Sequence, residues 1–214
     1  MTQLQKTYTQ YISQGATINE HLKNIEKVCE AGGKWVQLRL KNVTLITYLN
    51  AAIKARKLCD QYGAVLIIND NIGIAGQSNA DGVHLGLTDS NPKEARKQLG
   101  NEAIIGGTAN TFENCLQHIN DGVDYIGLGP YRFTSTKDKL SPILGVDGYT
   151  KIVEAITQKG YQLPIVGIGG ITLEDLSEIA NTGLSNIAVS GLLTGVNNAD
   201  LKKRIEIIEN TFSC

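Results

Sequence analysis

Eight short apolar runs alternate with amphipathic stretches along nearly the whole of this 214-residue chain. That alternation restricts the fold more than any other feature. The runs read as strands at 7–13, 35–40, 64–69, 82–86, 103–108, 125–129, 164–169 and 186–190. Helical patterns follow them. One opens at Asn19 and places Leu22, Ile25, Val28 and Cys29 on a single face. Others run over 45–60, over 93–99 with Pro92 in the first turn, from Thr111 onward, and over 147–158, 172–181 and 200–210. Thr172-Leu-Glu-Asp175 has the spacing of a capping box. Strict alternation calls for a parallel sheet with crossover helices. Eight apolar runs alternating with helical patterns, with no break in composition, favour one closed (β/α)8 TIM barrel, an α/β catalytic domain over 1–214. The alternative, an open doubly wound sheet, usually carries a glycine-rich first turn, and Ser13-Gln-Gly-Ala-Thr17 has no G-x-G-x-x-G.

The composition narrows the function classes. A net charge of −1 excludes a broad electrostatic attraction to nucleic acid. No apolar run approaches the ~20 residues that cross a bilayer, and the first residues lack the apolar core of a signal peptide, so a cytoplasmic location is expected. Cys29, Cys59, Cys115 and Cys214 show neither C-x-x-C nor zinc-ligand spacing; Cys29 and Cys59 read as buried free thiols. His84, inside the fourth strand, reads as a structural histidine hydrogen-bonded in the barrel. His21 and His118 fall on helices and read as surface residues.

In such a barrel the active site lies at the C-terminal ends of the strands, and the unusual polar residues gather there. Gln37, Arg39 and Lys41 alternate with Val36, Leu38 and Leu40. Period-two spacing puts the three polar groups on the inner face, ~6.6 Å apart in succession, and the apolar three toward the helices. Polar groups pointing into a barrel are costly unless solvated or bound to something, and an Arg with a Lys at the mouth forms an anion site. Asn69-Asp70 ends the third strand and Asp89 follows the fourth, so two carboxylates come from adjacent strand ends. Two carboxylates with phosphate oxygens and waters are a usual Mg2+ set. Gly106, Gly107 and Thr108 end the fifth strand, where the glycines permit close backbone approach to a ligand.

The sixth strand ends in Gly129-Pro130, followed by Thr134, Thr136 and Lys137: hydroxyls and an ammonium suited to phosphate. Glycine-rich ends at Gly169-Gly170 and Val189-Ser190-Gly191 suit the phosphate cradle common in this fold. Two subsites result. The one with Arg39, Lys41, Lys137 and Mg2+ suits a diphosphate. The one with Gly169, Gly170, Val189, Ser190 and 134–136 suits a monophosphate.

The ordered set Gln37-x-Arg39-x-Lys41, Asn69-Asp70, Gly82-Val-His-Leu-Gly86 with Asp89, Gly106-x-Thr108, Gly129-Pro130 with Thr134-Ser-Thr-Lys137, Gly169-Gly-Ile171 and Val189-Ser190 resembles the thiamine-phosphate pyrophosphorylase family. It covers nearly the whole chain in family order. Asn71, Leu87 and Thr108 stand where the family usually has Arg, Gln and Ser. The resemblance implies a Mg2+-dependent transferase joining 4-amino-2-methyl-5-(diphosphooxymethyl)pyrimidine to 4-methyl-5-(2-phosphooxyethyl)thiazole, with loss of pyrophosphate through a pyrimidine carbocation.

It further implies that Gln37, Leu38, Arg39, Leu40, Lys41, Asn69, Thr108 and Lys137 hold the pyrimidine diphosphate. Arg39, Lys41, Thr108 and Lys137 act in catalysis, and Asp70 and Asp89 hold Mg2+. Thr134, Ser135, Thr136, Gly169, Gly170, Val189 and Ser190 hold the thiazole phosphate. Partners are then phosphorylated small molecules, without nucleic acid or membrane, and a homo-oligomer is compatible. The rival readings are a thiazole tautomerase of the same superfamily, a sugar-phosphate isomerase or epimerase using His84 with Asp70, and a non-catalytic binder of thiamine precursors.

Overall fold

The computed structural model describes residues 9–133 and 142–212. The expected site residues Thr134, Ser135, Thr136 and Lys137 lie outside the described residues, as do the first two positions of the first expected strand and Cys214. The strands are β1 (Thr9–Ile12), β2 (Trp35–Leu38), β3 (Val65–Asn69), β4 (Gly82–Leu85), β5 (Ile104–Ala109), β6 (Tyr125–Leu128), β7 (Ile165–Ile168) and β8 (Asn186–Val189). They form a closed barrel in chain order, with β1 paired in parallel to both β2 and β8. The helices are α1 (Ile18–Glu30), α2 (Leu45–Tyr62), α3 (Ile72–Gln77), α4 (Pro92–Leu99), α5 (Phe112–Asn120), α6 (Gly145–Gln158), α7 (Leu176–Ala180) and α8 (Asn198–Thr211). This is the TIM barrel expected from the alternation. Among the described residues no helix is long and apolar enough to cross a membrane.

The period of two along each strand sorts side chains into two cores. Val36, Leu38, Leu40, Leu66 and Ile68 pack outward in the large layer shared with the helices. Ile12, Trp35, Val65, Ile67, Ile104, Tyr125, Val166 and Ala188 fill the barrel itself. There Trp35 and Tyr125 meet edge-on, ring centroids 4.9 Å apart at 76°. Cys29, Cys59 and Cys115 are buried free thiols.

The helix α3 has no counterpart among the helical patterns read from the sequence. It has six residues, two of them Gly73 and Gly76, and each glycine disfavours helix by about 1 kcal/mol relative to alanine. Burial of Ile72, Ile74 and Ala75 and the cap from Asn71, whose Oδ1 accepts the Ile74 N–H at 2.8 Å, hold it in place. His118 is not a surface residue: it is buried on α5, its Nε2 bonds the Thr108 carbonyl oxygen at 2.8 Å, and its ring fills the space left by Gly107.

At the lower end of the barrel, a side chain just ahead of one strand caps an N–H in the first two residues of its neighbour. Asp81 accepts from Leu66 at 2.6 Å, Asp124 from Ile105 at 2.7 Å and Ser185 from Ile165 at 3.3 Å. Arg56 and Arg96 neutralise the two aspartates. Conserving the register here fixes the relative heights of the opposite, functional ends.

That upper rim has its own tie. Asp175 accepts from the Thr172 N–H at 2.7 Å and hydroxyl at 2.9 Å, closing the capping box, and pairs with Arg132 at 2.6 Å. The loop after β6 is thus bound to the loop after β7. Burial pushes the Asp175 carboxyl up, but the Thr172 and Arg132 hydrogen bonds outweigh it and hold it below the usual aspartate range. Its contribution is therefore complete above the unfolded value of about 3.9 and is lost as pH falls through the lower folded value. Asp175→Ala is expected to cost about 2 kcal/mol at neutral pH. Urea unfolding at neutral and acid pH checks this: the gap between variant and wild type closes as the pH falls through that window.

Candidate active site

Arg39 and Lys41 follow β2 on the rim. The Arg39 N–H donates to the Ser13 hydroxyl at 3.1 Å, which ties the β2 end to the β1 end. Lys41 forms an ion pair with Asp70. Asp70 sits just beyond β3 with φ of 66°, a left-handed conformation that aspartate tolerates better than most residues. Its own N–H is held by the His84 carbonyl at 2.8 Å.

Asp89 bends back and accepts the Gly86 N–H at 2.7 Å. The two carboxylates act on each other across adjacent strand ends. Burial and then Asp70 push the Asp89 carboxyl up. Burial would raise Asp70 as well, but its bonds to Lys41 and Asp89 outweigh that and hold it down. Two carboxyls driven apart in this way are a site short of positive charge. Their hard oxygens suit Mg2+. Among the described residues no group of three or more His, Cys, Asp or Glu converges as a metal cage, so such a cation would complete its shell with ligand oxygens and water.

Gln37 and Asn69 lie inside the barrel wall, 2% and 6% exposed. Leu38 and Leu40 point their side chains into the outer core, so that part of the expected pyrimidine-diphosphate set can meet a ligand only through its backbone. Thr108 is half-buried at the top of β5. The glycines below it also leave room for neighbouring side chains. A Cβ on Gly106 would lie 2.2 Å from Tyr125 Cζ and 2.5 Å from His84 Nδ1, and one on Gly107 would strike His118. They make room for side chains on the two faces of the sheet.

His84 is buried as expected of a structural histidine. Its Nδ1 meets the Tyr125 hydroxyl and its Nε2 the Thr108 hydroxyl, each at 2.9 Å.

On the other side lie Gly169 and Gly170, the expected phosphate cradle, with φ of 104° and 71°. They also press against the β6 loop: a Cβ on Gly169 would lie 2.7 Å from Pro130 Cβ, and one on Gly170 2.5 Å from Arg132 Cγ. The backbone follows suit, with Tyr131 N–H on Ile168 O at 2.9 Å and Arg132 N–H on Gly169 O at 3.0 Å. Ser190 closes the circle through Gln14, its hydroxyl donating to Oε1 at 3.1 Å.

A cleft of about 560 Å3 opens here, bordered by Arg39, Lys41, Gly169, Gly170, Val189 and Ser190. Ser13, Gln14, Gly15 and His21, none of them among the expected site residues, border it too. His21 is not a surface residue: it is half-buried, and its Nδ1 meets the Ser13 hydroxyl at 2.9 Å. The signal that could have found this pair is the polar run Ser13-Gln14 directly after β1, at the same height as the other strand ends.

Residues 10–193 match the family model described as thiamine monophosphate synthase. The thiamine-phosphate synthase of Flavobacterium johnsoniae is 51% identical over 185 residues, covering 86% of this chain and 87% of its own. That of Flavobacterium psychrophilum is 51% identical over 189 residues, covering 88% and 92%. The structure of a thiamine phosphate pyrophosphorylase from Pyrococcus furiosus superposes with a TM-score of 0.82 at 26% identity, covering 98% of both chains. With a matching family model over most of its length and relatives at half identity, this chain belongs to the thiamine monophosphate synthase family.

Proposed function

We propose that the barrel mouth makes thiamine monophosphate, joining 4-amino-2-methyl-5-(diphosphooxymethyl)pyrimidine to 4-methyl-5-(2-phosphooxyethyl)thiazole with release of pyrophosphate. The observation that carries this is the pairing of two unlike subsites on one rim: Arg39, Lys41 and two opposed carboxyls on one side, a neutral glycine-built cradle on the other. A diphosphate that must leave needs charge neutralisation. A monophosphate that only anchors its substrate needs backbone N–H groups and hydroxyls.

The methylene C–O bond of the pyrimidine breaks and its electron pair leaves with the diphosphate. The thiazole nitrogen lone pair then forms the new C–N bond. That nitrogen carries no proton, so no general base is called for. Mg2+ bound by Asp70 and Asp89 would neutralise leaving-group charge as a Lewis acid. Arg39 and Lys41 bind and orient the diphosphate. The Lys41–Asp70 pair is open to solvent, its side chains 49% and 29% exposed, so parting it costs at most about 1 kcal/mol. Lys41 is then available to phosphate and Asp70 to the cation. Thr134, Ser135, Thr136 and Lys137, outside the described residues, are assigned to the same loop on the strength of the family resemblance.

The isomerase alternative loses its acid/base pair, because both ring nitrogens of His84 are engaged by Tyr125 and Thr108 rather than by Asp70. Phosphorylated small molecules are the partners this reading requires, and a cytoplasmic setting suits them.

The direct test is an assay of thiamine monophosphate and pyrophosphate from the two substrates with and without Mg2+. No pyrophosphate release would remove the synthase reading, and tight calorimetric binding without turnover would replace it with a binding role. Asp89→Asn and Asp70→Asn are each expected to lower turnover roughly 100-fold, the scale of losing one charge-stabilising element, while melting temperature holds. Unchanged Mg2+ dependence in both variants would refute the metal assignment.

A further inference from the structure

A line of buried hydrogen bonds crosses the barrel beneath the mouth. Gln37 Nε2 donates to Gln10 Oε1 at 3.0 Å. Gln10 Nε2 donates to the Tyr125 hydroxyl at 3.0 Å. That hydroxyl meets His84 Nδ1, and His84 Nε2 meets the Thr108 hydroxyl. Gln10, Gln37, His84 and Tyr125 are each at most 6% exposed. The line begins on β1 and β2 and ends on β5 at the rim.

The direction of this line follows from how the two amides are turned, with Gln37 Nε2 on Gln10 Oε1 and Gln10 Nε2 on the tyrosine. With Oε1 of Gln10 taken by Gln37, the Gln10 amide offers Tyr125 only N–H. The tyrosine oxygen therefore accepts, and its one hydrogen is left for His84. A hydrogen donated to Nδ1 of His84 places the ring proton on Nε2, where it is donated to the Thr108 oxygen. Thr108 consequently keeps its own hydroxyl hydrogen for the mouth. We infer that Gln10, Tyr125 and His84 are positioning residues that set Thr108 as a donor toward the departing diphosphate. Run in the opposite direction, the same five groups would commit the Thr108 hydrogen to His84 and turn lone pairs toward an anion. The direction thus decides whether Thr108 attracts or repels the leaving group.

The packing is shaped around the line. Gly106 is vacant so that Tyr125 and His84 can meet, and a Cβ on Gly127 would already approach His84 Cε1 to 3.0 Å.

This inference rests on the synthase reading for the identity of the anion, but its central claim can be measured without substrate. The chain has three histidines. Nitrogen-15 NMR of the wild-type protein at about pH 8, above the ordinary histidine range, with rings assigned by substituting each in turn, reads the tautomer directly. His84 is expected with its proton on Nε2 and a bare Nδ1. A proton on Nδ1 would overturn the inference whatever the activity. Tyr125→Phe is expected to mix the tautomers and lower kcat about tenfold, with a smaller rise in KM for the pyrimidine diphosphate. In a Thr108→Val background the same change is expected to cost less than about twofold. An equal cost in both backgrounds would show that Tyr125 acts on the fold and not through Thr108. An inactive wild type would end the synthase reading while the NMR result still decides the direction of the line.

Discussion

Closure of eight parallel strands is the constraint on which everything else here depends. A parallel sheet left open exposes edge groups and needs both faces covered. Joining β8 to β1 removes the edge and leaves a narrow interior. Space in that interior is so limited that a Cβ on Gly82 would sit 1.8 Å from the Ile104 carbonyl oxygen. Parallel closure also sends every strand's C-terminal end to the same rim. Eight loops then share one mouth, where Lys41 pairs with Asp70 and borders the same cleft as the distant Ser190.

The same confinement explains the polar content of the barrel. A buried amide, phenol or imidazole is costly when unpaired and tolerable when paired. Gln10, Gln37, Tyr125 and His84 satisfy one another through hydrogen bonds near 3 Å. Such a line can reverse only as a whole, because turning one member alone strands a neighbour. Rigidity below the rim is what allows a single hydroxyl above it to hold one orientation. The upper rim is stiffened separately by Arg132, Asp175 and Thr172, which bind two loops by side chains and by the Tyr131 and Arg132 N–H groups.

Much of this was legible in the sequence, for reasons that differ by element. The strands announced themselves because β-branched and aliphatic runs such as Val65–Asn69 are buried on both faces. The alternation of Gln37, Arg39 and Lys41 with three apolar residues located the inner face of β2. Asp70 and Asp89 stood out because they follow adjacent strands and face a basic cluster. What escaped was whatever depended on contacts across the barrel. His118 looked like a helix-surface residue because only Gly107, eleven positions earlier and on a strand, creates the hole it fills. His21 looked exposed because Ser13 is its partner only once β1 is placed at the rim. Gln10 gave no signal, since a lone glutamine in a short strand has meaning only beside Tyr125 and Gln37. The short helix α3 hid behind its two glycines, which tertiary burial overrides.

On the proposed synthase reading, the charges of the mouth let assembly of the complex exchange partners and not create them. Without ligands, Lys41 balances Asp70, and Asp89 rests on the Gly86 N–H. With a diphosphate and a cation present, lysine and aspartate would each move to a partner of opposite sign. The number of ion pairs does not fall at any stage. Because the original pair is solvated, its loss is small against a charge-assisted phosphate contact. Deeper burial of the pair would raise the cost of parting it. Full separation of the two groups would leave an unbalanced carboxyl on the rim. An exposed pair at the edge of a rigid wall avoids both, and it leaves the binding energy of the diphosphate for the step in which that group departs.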